Sequence, residues 1–246
     1  MASLKQLRKI FAPILAEYPD LVLHRRWLFR PPIEAAIIGL YIGRTSSAYA
    51  SQMDLSVIPL SRFSEPSVLG FNRAFEVERV IGAPASGPSD LGQTEQPARI
   101  FQDMFAPEYE AQLILNFRAK VPAFLGAIRS LDEVIAWVLS LRGSFFSGGP
   151  KELMDGWVAM MRGDFASADG QLEAYFVRMG PPHALAGAAR RQALLQIQAI
   201  LRTNDPALIA AHFHAMEERT IAHYGLQRYW RPTPFPFERA ATASGQ

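Results

Sequence analysis

A stretch rich in glycine, proline and serine at 82–98 divides the chain into two parts with different hydrophobic patterns. The stretch has no periodic apolar positions, which is typical of a loop or a linker. Before it, apolar residues form short runs or alternate with polar residues, whereas after it they recur at helical spacing. This division predicts an α+β protein, with a small sheet-bearing part at 1–81 and a mostly α-helical part at 99–228.

The N-terminal part contains one helical pattern and three strand patterns. Apolar residues at 3–18 have the spacing of an amphipathic helix, which Pro13 is expected to kink or to divide by starting a second short helix. The continuous apolar run at 33–42 predicts a strand buried on both faces, and alternation at 52–60 and 71–80 predicts two half-buried strands. We therefore expect a small antiparallel sheet of about three strands, covered by the N-terminal helix.

Capping residues mark helix starts in the second part. Ser130 and Glu133 have the spacing of a capping box, and Asp164 and Asp205 are N-cap candidates. Together with the apolar spacing, these signals predict helices at 99–105, 107–119, 122–129, 131–142, 150–162, 165–179, 184–202 and 206–224.

Two similar turns indicate how these helices are arranged. The segment 162–168 resembles the turn and second-helix start of tetratricopeptide-type helical hairpins, and a related turn at 204–209 follows about forty residues later. Two copies are fewer than a repeat array needs. We therefore expect stacked α-helical hairpins rather than a true solenoid.

The segment 229–246 is rich in proline, so we expect an extended chain of polyproline type there. Its aromatic residues Trp230, Phe235 and Phe237 are expected to dock back onto the helical part.

Composition excludes several classes of protein. Among 246 residues there is no cysteine, which excludes disulfides, thiolate metal sites and a cysteine nucleophile. A net charge of +2 argues against a large nucleic-acid-binding surface. No apolar run approaches the ~20 residues of a membrane-spanning helix, and the N-terminus has no signal-peptide pattern. We expect a cytoplasmic protein with no nucleic-acid or membrane partner.

Local motifs for catalysis, cofactors and metals are not apparent. There is no nucleophile elbow and no dinucleotide-binding glycine pattern. On one helix, His212 and His214 are two positions apart and diverge, while His214 can pair with Glu217 or Glu218. We therefore assign no catalytic, cofactor-binding or metal-binding residue.

One arrangement nevertheless keeps an enzymatic alternative open. Arg44 with the hydroxyl residues after it, together with Glu76 and Glu78, resembles the Arg, Ser-Thr-Ser and Glu-x-Glu elements of ADP-ribosyltransferases. In a regular strand the two glutamates would share one face. In those enzymes the arginine and the hydroxyl cluster lie on separate strands, whereas here they are contiguous. The resemblance implies an NAD-using transferase with a dispersed site.

The densest cationic and aromatic cluster lies at 24–30. Arginine and tryptophan are enriched at binding hot spots, so we interpret the cluster as a candidate surface for an acidic partner. Its residues are Arg25, Arg26, Trp27 and Arg30, with Arg44 added from the next segment. The alternative interpretation is a connector, in which Trp27 and Phe29 pack between sheet and helix while the arginines stay in water.

Three segments, His24–Ser47, Val57–Leu60 and Phe213–Glu238, resemble uncharacterised bacterial immunity-type proteins, which are encoded beside secreted toxins. The resemblance implies a small sheet combined with helices and a protein that binds and neutralises a toxin. Our first hypothesis is therefore a non-enzymatic bacterial protein that binds a partner protein, a toxin or effector. The alternatives are the dispersed-site enzyme and a structural component of a secretion or phage assembly.

Overall fold

The structure, a computed structural model, describes residues 3–42, 53–63, 76–79, 107–140, 151–180 and 185–239. The chain divides into two compact units. The first comprises Met1–Pro31, Ile38–Val57 and Glu76–Arg129, and the second comprises Pro32–Ile37, Ile58–Phe75 and Ser130–Gln246. Each unit is therefore assembled from segments that are distant in sequence. The boundary predicted at 82–98 lies outside the described residues.

Helix α1 (Leu4–Glu17) confirms the predicted N-terminal helix. It begins with a capping box, in which Ser3 Oγ accepts the Gln6 N–H at 3.2 Å and Gln6 Oε1 accepts the Ser3 N–H at 2.8 Å. The helix passes through Pro13 as one element, so no second short helix begins there. Because Pro13 is exposed, water can hydrate the carbonyl group that loses its helical partner.

Within the described ranges, the sheet has five strands in the order β1-β2-β3-β4-β5. Pairing is antiparallel between β1 and β2, β2 and β3, and β4 and β5, and the α+β fold class is confirmed. Strands β3 to β5 correspond to the strands predicted at 33–42, 52–60 and 71–80, except that β3 begins at Ala36 and β4 ends at Pro59, and 52, 71–75 and 80 lie outside the described residues. Strands β1 and β2 are additional, since three-residue strands are too short to show alternation. The strands are β1 (Val22–His24), β2 (Trp27–Phe29), β3 (Ala36–Ile42), β4 (Met53–Pro59) and β5 (Glu76–Arg79).

The pairing of β2 with β1 and with β3, which was not predicted from the sequence, depends on two backbone features. Arg25 turns the chain between β1 and β2 with a φ of 52°, a region that few non-glycine residues adopt. On β3, Gly39 is paired with Phe29, and a Cβ at position 39 would overlap the carbonyl oxygen of Leu28. The close approach of β2 and β3 therefore requires glycine at this position.

Helix α2 (Pro107–Ala127) belongs to the first unit and is a single helix, where the sequence predicts two at 107–119 and 122–129. A proline inside a helix costs ~3 kcal/mol or more. Burial of an apolar side chain contributes about 1.5–3 kcal/mol, so packing around Pro122 offsets that cost. The core that α2 joins includes Leu7, Phe11, Ile14, Leu28, Leu40, Phe117, Val121 and Leu125.

The second unit contains the remaining helices close to their predicted bounds. They are α3 (Leu131–Ser140), α4 (Lys151–Met161), α5 (Phe165–Met179), α6 (Leu185–Leu201), α7 (Pro206–Tyr224) and a 3-10 turn (Gln227–Tyr229). Helices α5 and α7 match the prediction, and α4 and α6 each end one residue earlier than predicted, while their predicted first residues, 150 and 184, lie outside the described residues. The predicted helix at 99–105 and the last two residues predicted for α3, 141–142, lie outside the described residues.

Caps and contacts in the second unit confirm the predicted hairpins. Ser130 and Glu133 exchange hydrogen bonds, and Asp164 Oδ1 accepts the Ser167 N–H at 3.0 Å. Asp205 Oδ1 accepts two backbone N–H groups of the first turn of α7. Each helix from α4 to α7 contacts the next one. The helices therefore stack as successive hairpins.

The C-terminal segment, defined as residues 230–239, packs on the second unit. Ile33 donates its backbone N–H to the carbonyl oxygen of Tyr229, and its own carbonyl oxygen accepts the Arg231 N–H, both at 2.8 Å. Phe235 and Phe237 are 1% and 7% exposed, which confirms that they dock.

One part of this segment differs from the prediction of an extended chain. Residues 236–239 form a helical turn. Pro236 occupies its first position, where a fixed φ and a missing N–H are tolerated. Glu238 Oε2 accepts the Phe235 N–H at 2.6 Å and caps the turn. The closely spaced prolines of this segment predict an extended chain, so Pro236 and Glu238 were not recognised as signals for the start of a helical turn.

Candidate functional site

The cluster predicted to bind a partner is built into the first unit. Trp27 is 3% exposed, and its ring centroid lies 4.9 Å from that of Tyr41. Arg26 Nη1 donates to a carbonyl oxygen of β3 at 3.3 Å. Arg30 forms an exposed ion pair with Asp20.

The structure thus brings four of the five predicted residues to one short hairpin. Arg25 forms its turn, and Arg44 lies outside the described residues. Trp27 and Phe29 are in the core, as the connector interpretation predicts. A partner-binding role for Arg25, Arg26, Trp27, Arg30 and Arg44 stays a prediction.

The residues that resemble an ADP-ribosyltransferase site are only partly described, because Arg44 is not among the described residues. In the pairing of β4 with β5, Leu55 is opposite Glu78 and the next residue, Ser56, is opposite Glu76. The register therefore shifts by one residue at Val77, which lies between the two glutamates. A bulge of this kind interrupts the alternation on which the same-face prediction rested. The enzymatic alternative stays a prediction.

In the second unit, His214 on α7 lies between two carboxylates. Its Nδ1 is 2.9 Å from Glu217 Oε2, and its Nε2 is 3.1 Å from Glu238 Oε2. The Phe235 ring stacks on the imidazole, with centroids 4.4 Å apart. The sequence predicted the Glu217 contact, since the two residues are one helical turn apart. It gave no local signal for Glu238, which the C-terminal segment brings in.

Burial and charge shift the ionisation of this cluster. The side chain of Glu217 is 1% exposed, and burial raises the pKa of its carboxyl group. The hydrogen bond with Glu217 raises the pKa of His214, and Glu238 acts in the same direction. His214 therefore keeps its proton to a higher pH than a free imidazole does. Glu217 Oε1 is buried and has no hydrogen-bond partner among the described residues.

This geometry favours a positioning role for His214. Both ring nitrogens are occupied by carboxylate oxygens, so the imidazole orients Glu217 and Glu238 and holds the C-terminal segment against α7. Across the described part of the chain, no group of three or more His, Cys, Asp or Glu residues is arranged to hold a metal ion.

An open cleft lies beside the cluster, with a cavity volume of about 320 Å³. We call it the C-terminal cleft. One side comes from α7 and the other from the C-terminal segment. Its lining residues are His214, Glu218, Trp230, Pro232, Thr233, Pro234 and Glu238.

A second surface feature lies where the end of α5 meets α6, and we call it the α5–α6 patch. The Arg191 guanidinium carbon is 4.9 Å from the ring centroid of Phe176. Val177 is 79% exposed and Met179 is 48% exposed, although both are large and apolar. The patch is defined by Phe176, Val177, Arg178, Met179, Arg190 and Arg191, together with Tyr175, a buried side chain that Arg178 and Arg190 contact.

The arginines of the patch are held in place by their neighbours. Arg178 forms two hydrogen bonds with Glu152, at 2.7 and 2.9 Å, and these raise the pKa of its guanidinium. Arg191 Nη1 donates to the carbonyl oxygen of Gly180 at 2.7 Å. Arg190 lies 5.5 Å from the ring centroid of Tyr175. The cationic groups therefore have defined positions relative to Glu152, Tyr175 and Phe176, near the helix turn that also carries Val177 and Met179.

Comparisons with known proteins found no match, whether against family models, curated proteins or solved structures. Of the helices in the described ranges, none is both long enough and apolar enough to cross a membrane.

Proposed function

We propose that this chain acts by binding a partner protein through the α5–α6 patch, without catalysing a reaction of its own. The observation that carries the proposal is that the last turn of α5 exposes two large apolar side chains, Val177 and Met179, on different faces of the helix, while Arg178 of the same turn is held by Glu152. Aromatic residues, methionine and arginine are enriched in protein interfaces. Stacked helical hairpins also provide extended surfaces for binding.

The fixed positions of the arginine side chains in the patch lower the entropic cost of binding a partner. Immobilising a long side chain on association costs about 0.5–1.5 kcal/mol. Arg178 and Arg191 already have fixed hydrogen-bond partners within the second unit, so less of this cost remains when a partner binds. Burial of Val177 and Met179 then supplies apolar contact area.

In its specific form, the proposal is a cytoplasmic bacterial immunity protein whose partner is a toxin. The segments His24–Ser47, Val57–Leu60 and Phe213–Glu238, which resemble immunity-type proteins, support this form. The products of neighbouring genes are the candidate partners to test.

The test is co-expression with each neighbouring gene product, followed by size-exclusion chromatography with mass determination. We expect a complex of defined mass, and we expect the double variant Val177→Gln/Met179→Gln to weaken it at least about tenfold. Leu115→Gln is the matched control, because Leu115 is apolar and 58% exposed but lies in the first unit.

Three results would overturn the proposal. One is the lack of a complex with any neighbouring product, and another is an equal loss of binding in the Leu115 control. The third is a large homo-oligomer by light scattering, which would favour a structural component of an assembly.

A further inference from the structure

We propose that the C-terminal cleft binds an alkylguanidinium group, the end group of an arginine side chain. The inference does not depend on the α5–α6 patch. A cavity of about 320 Å³ is at the small end of ligand sites and can take one such group with its alkyl chain.

The charges around the cleft favour a cation. Among its lining residues, Glu218 and Glu238 are acidic and His214 is basic. Glu218 makes no hydrogen bond or ion pair with any residue that the structure describes. The two carboxyl groups of the lining therefore outnumber its one imidazole. Arg231, which lies next to Trp230 in sequence, is paired with Glu34.

The shape of the lining favours a planar cation. Trp230, Pro232 and Pro234, whose side chains are rigid rings, line the cleft together with the two carboxylates. A guanidinium is planar, stacks on aromatic rings and matches a carboxylate with two parallel N–H donors. An ammonium is more strongly hydrated and loses more when it leaves water. A guanidinium therefore fits this cleft better than an ammonium does.

The cleft is also held open by packing. Phe235 stacks on His214, and the Phe237 ring meets that of Phe165 edge to face at 5.3 Å. These contacts fix the C-terminal segment immediately before Glu238, so the cleft needs little rearrangement to accept a ligand.

Binding can be measured by NMR titration of the full chain. The reporter is the indole N–H signal of Trp230, assigned by its loss in Trp230→Phe. The probes are n-propylguanidinium, n-propylurea as a neutral molecule of the same shape, and n-butylammonium. We expect a saturable shift with n-propylguanidinium and at least about fivefold weaker binding of the other two. Equal binding of n-propylurea would overturn recognition of charge, and equal binding of n-butylammonium would overturn the preference for guanidinium.

The variant Glu218→Gln tests the same site without disturbing the C-terminal segment. We expect it to weaken n-propylguanidinium binding about fivefold. Asp132→Asn, which removes an exposed carboxylate on α3, should leave binding unchanged. Unchanged affinity in Glu218→Gln, or the same loss in Asp132→Asn, would show that the cleft is not the site.

The tripeptide acetyl-Gly-Arg-Gly-amide distinguishes two sources of the group. If the peptide binds at least as tightly as n-propylguanidinium, the site takes an arginine side chain of a polypeptide. If only the small molecule binds, the site takes a free guanidinium compound. The proposal fails if neither shifts the Trp230 signal.

Discussion

His214 Nε2 lies 3.1 Å from Glu238 Oε2, and this contact joins helix α7 to a residue 24 positions further along the chain. The same imidazole holds Glu217 through Nδ1. One side chain thus connects a buried carboxyl group of α7 with the cap of the helical turn at 236–239.

The His214–Glu217 pair should make stability fall as pH rises. Both groups have a raised pKa in the folded protein, so their stabilising effect is complete below the unfolded values. It is lost as pH rises through the folded values, beginning near pH 4.5 for Glu217 and near pH 6.5 for His214. We expect the advantage of the wild type over His214→Gln/Glu217→Gln to shrink between pH 4 and pH 8.5 in urea unfolding.

The control for this measurement is Ala211→Gln, which changes an exposed residue of the same helix that does not titrate. Because neither alanine nor glutamine binds a proton, its difference from the wild type should not follow the pH dependence of the pair. An advantage of the wild type that stays constant or grows with pH would contradict the assignment.

Gly39→Ala should destabilise the sheet. The added Cβ would overlap the carbonyl oxygen of Leu28, and overpacking of this kind costs about 1–3 kcal/mol. Gly170→Ala is the control, because a Cβ there meets no heavy atom within 4 Å. In the interior of α5 it should stabilise by about 0.5–1 kcal/mol. The urea midpoints should move in opposite directions, and a neutral Gly39→Ala would contradict the close approach of β2 and β3.

Thr220→Val should destabilise the second unit. Thr220 Oγ1 donates to the carbonyl oxygen of Leu60 at 3.0 Å in a buried position, so valine leaves that oxygen without this donor. The expected cost is about 1–3 kcal/mol in the free energy of unfolding. Thr220→Ser keeps the hydroxyl group and should cost less. A larger loss in the serine variant would show that methyl packing dominates.

Elements with local signals could be predicted from the sequence. Helix α7 has its predicted bounds because Asp205 caps its start and Gly225 adopts the left-handed conformation at its end. For α1, Ser3 and Gln6 supply a capping box, and the apolar spacing supplies the buried face. These signals act within a few residues, so one sequence is enough to read them.

Features that depend on distant contacts could not be predicted. Strands β1 and β2 are too short for alternation, and β2 is held by its pairing with β3. Helix α2 continues through Pro122 because packing in the core outweighs the local cost. The cleft needs both α7 and the C-terminal segment, and no local pattern in the sequence indicates that Glu238 reaches His214.

The backbone of Ile33 is hydrogen-bonded to Tyr229 and Arg231, and this pairing affects when the second unit can fold during synthesis. The adjacent ion pair between Glu34 and Arg231 spans 197 positions of sequence. Almost 200 residues must therefore leave the ribosome before the early segment finds its neighbour in the second unit. Closing so long a loop is slow. Until then, chaperones and proteases can reach this part of the nascent chain. A chain that ends before residue 231 would lack the partner of Glu34, and its second unit would be incomplete.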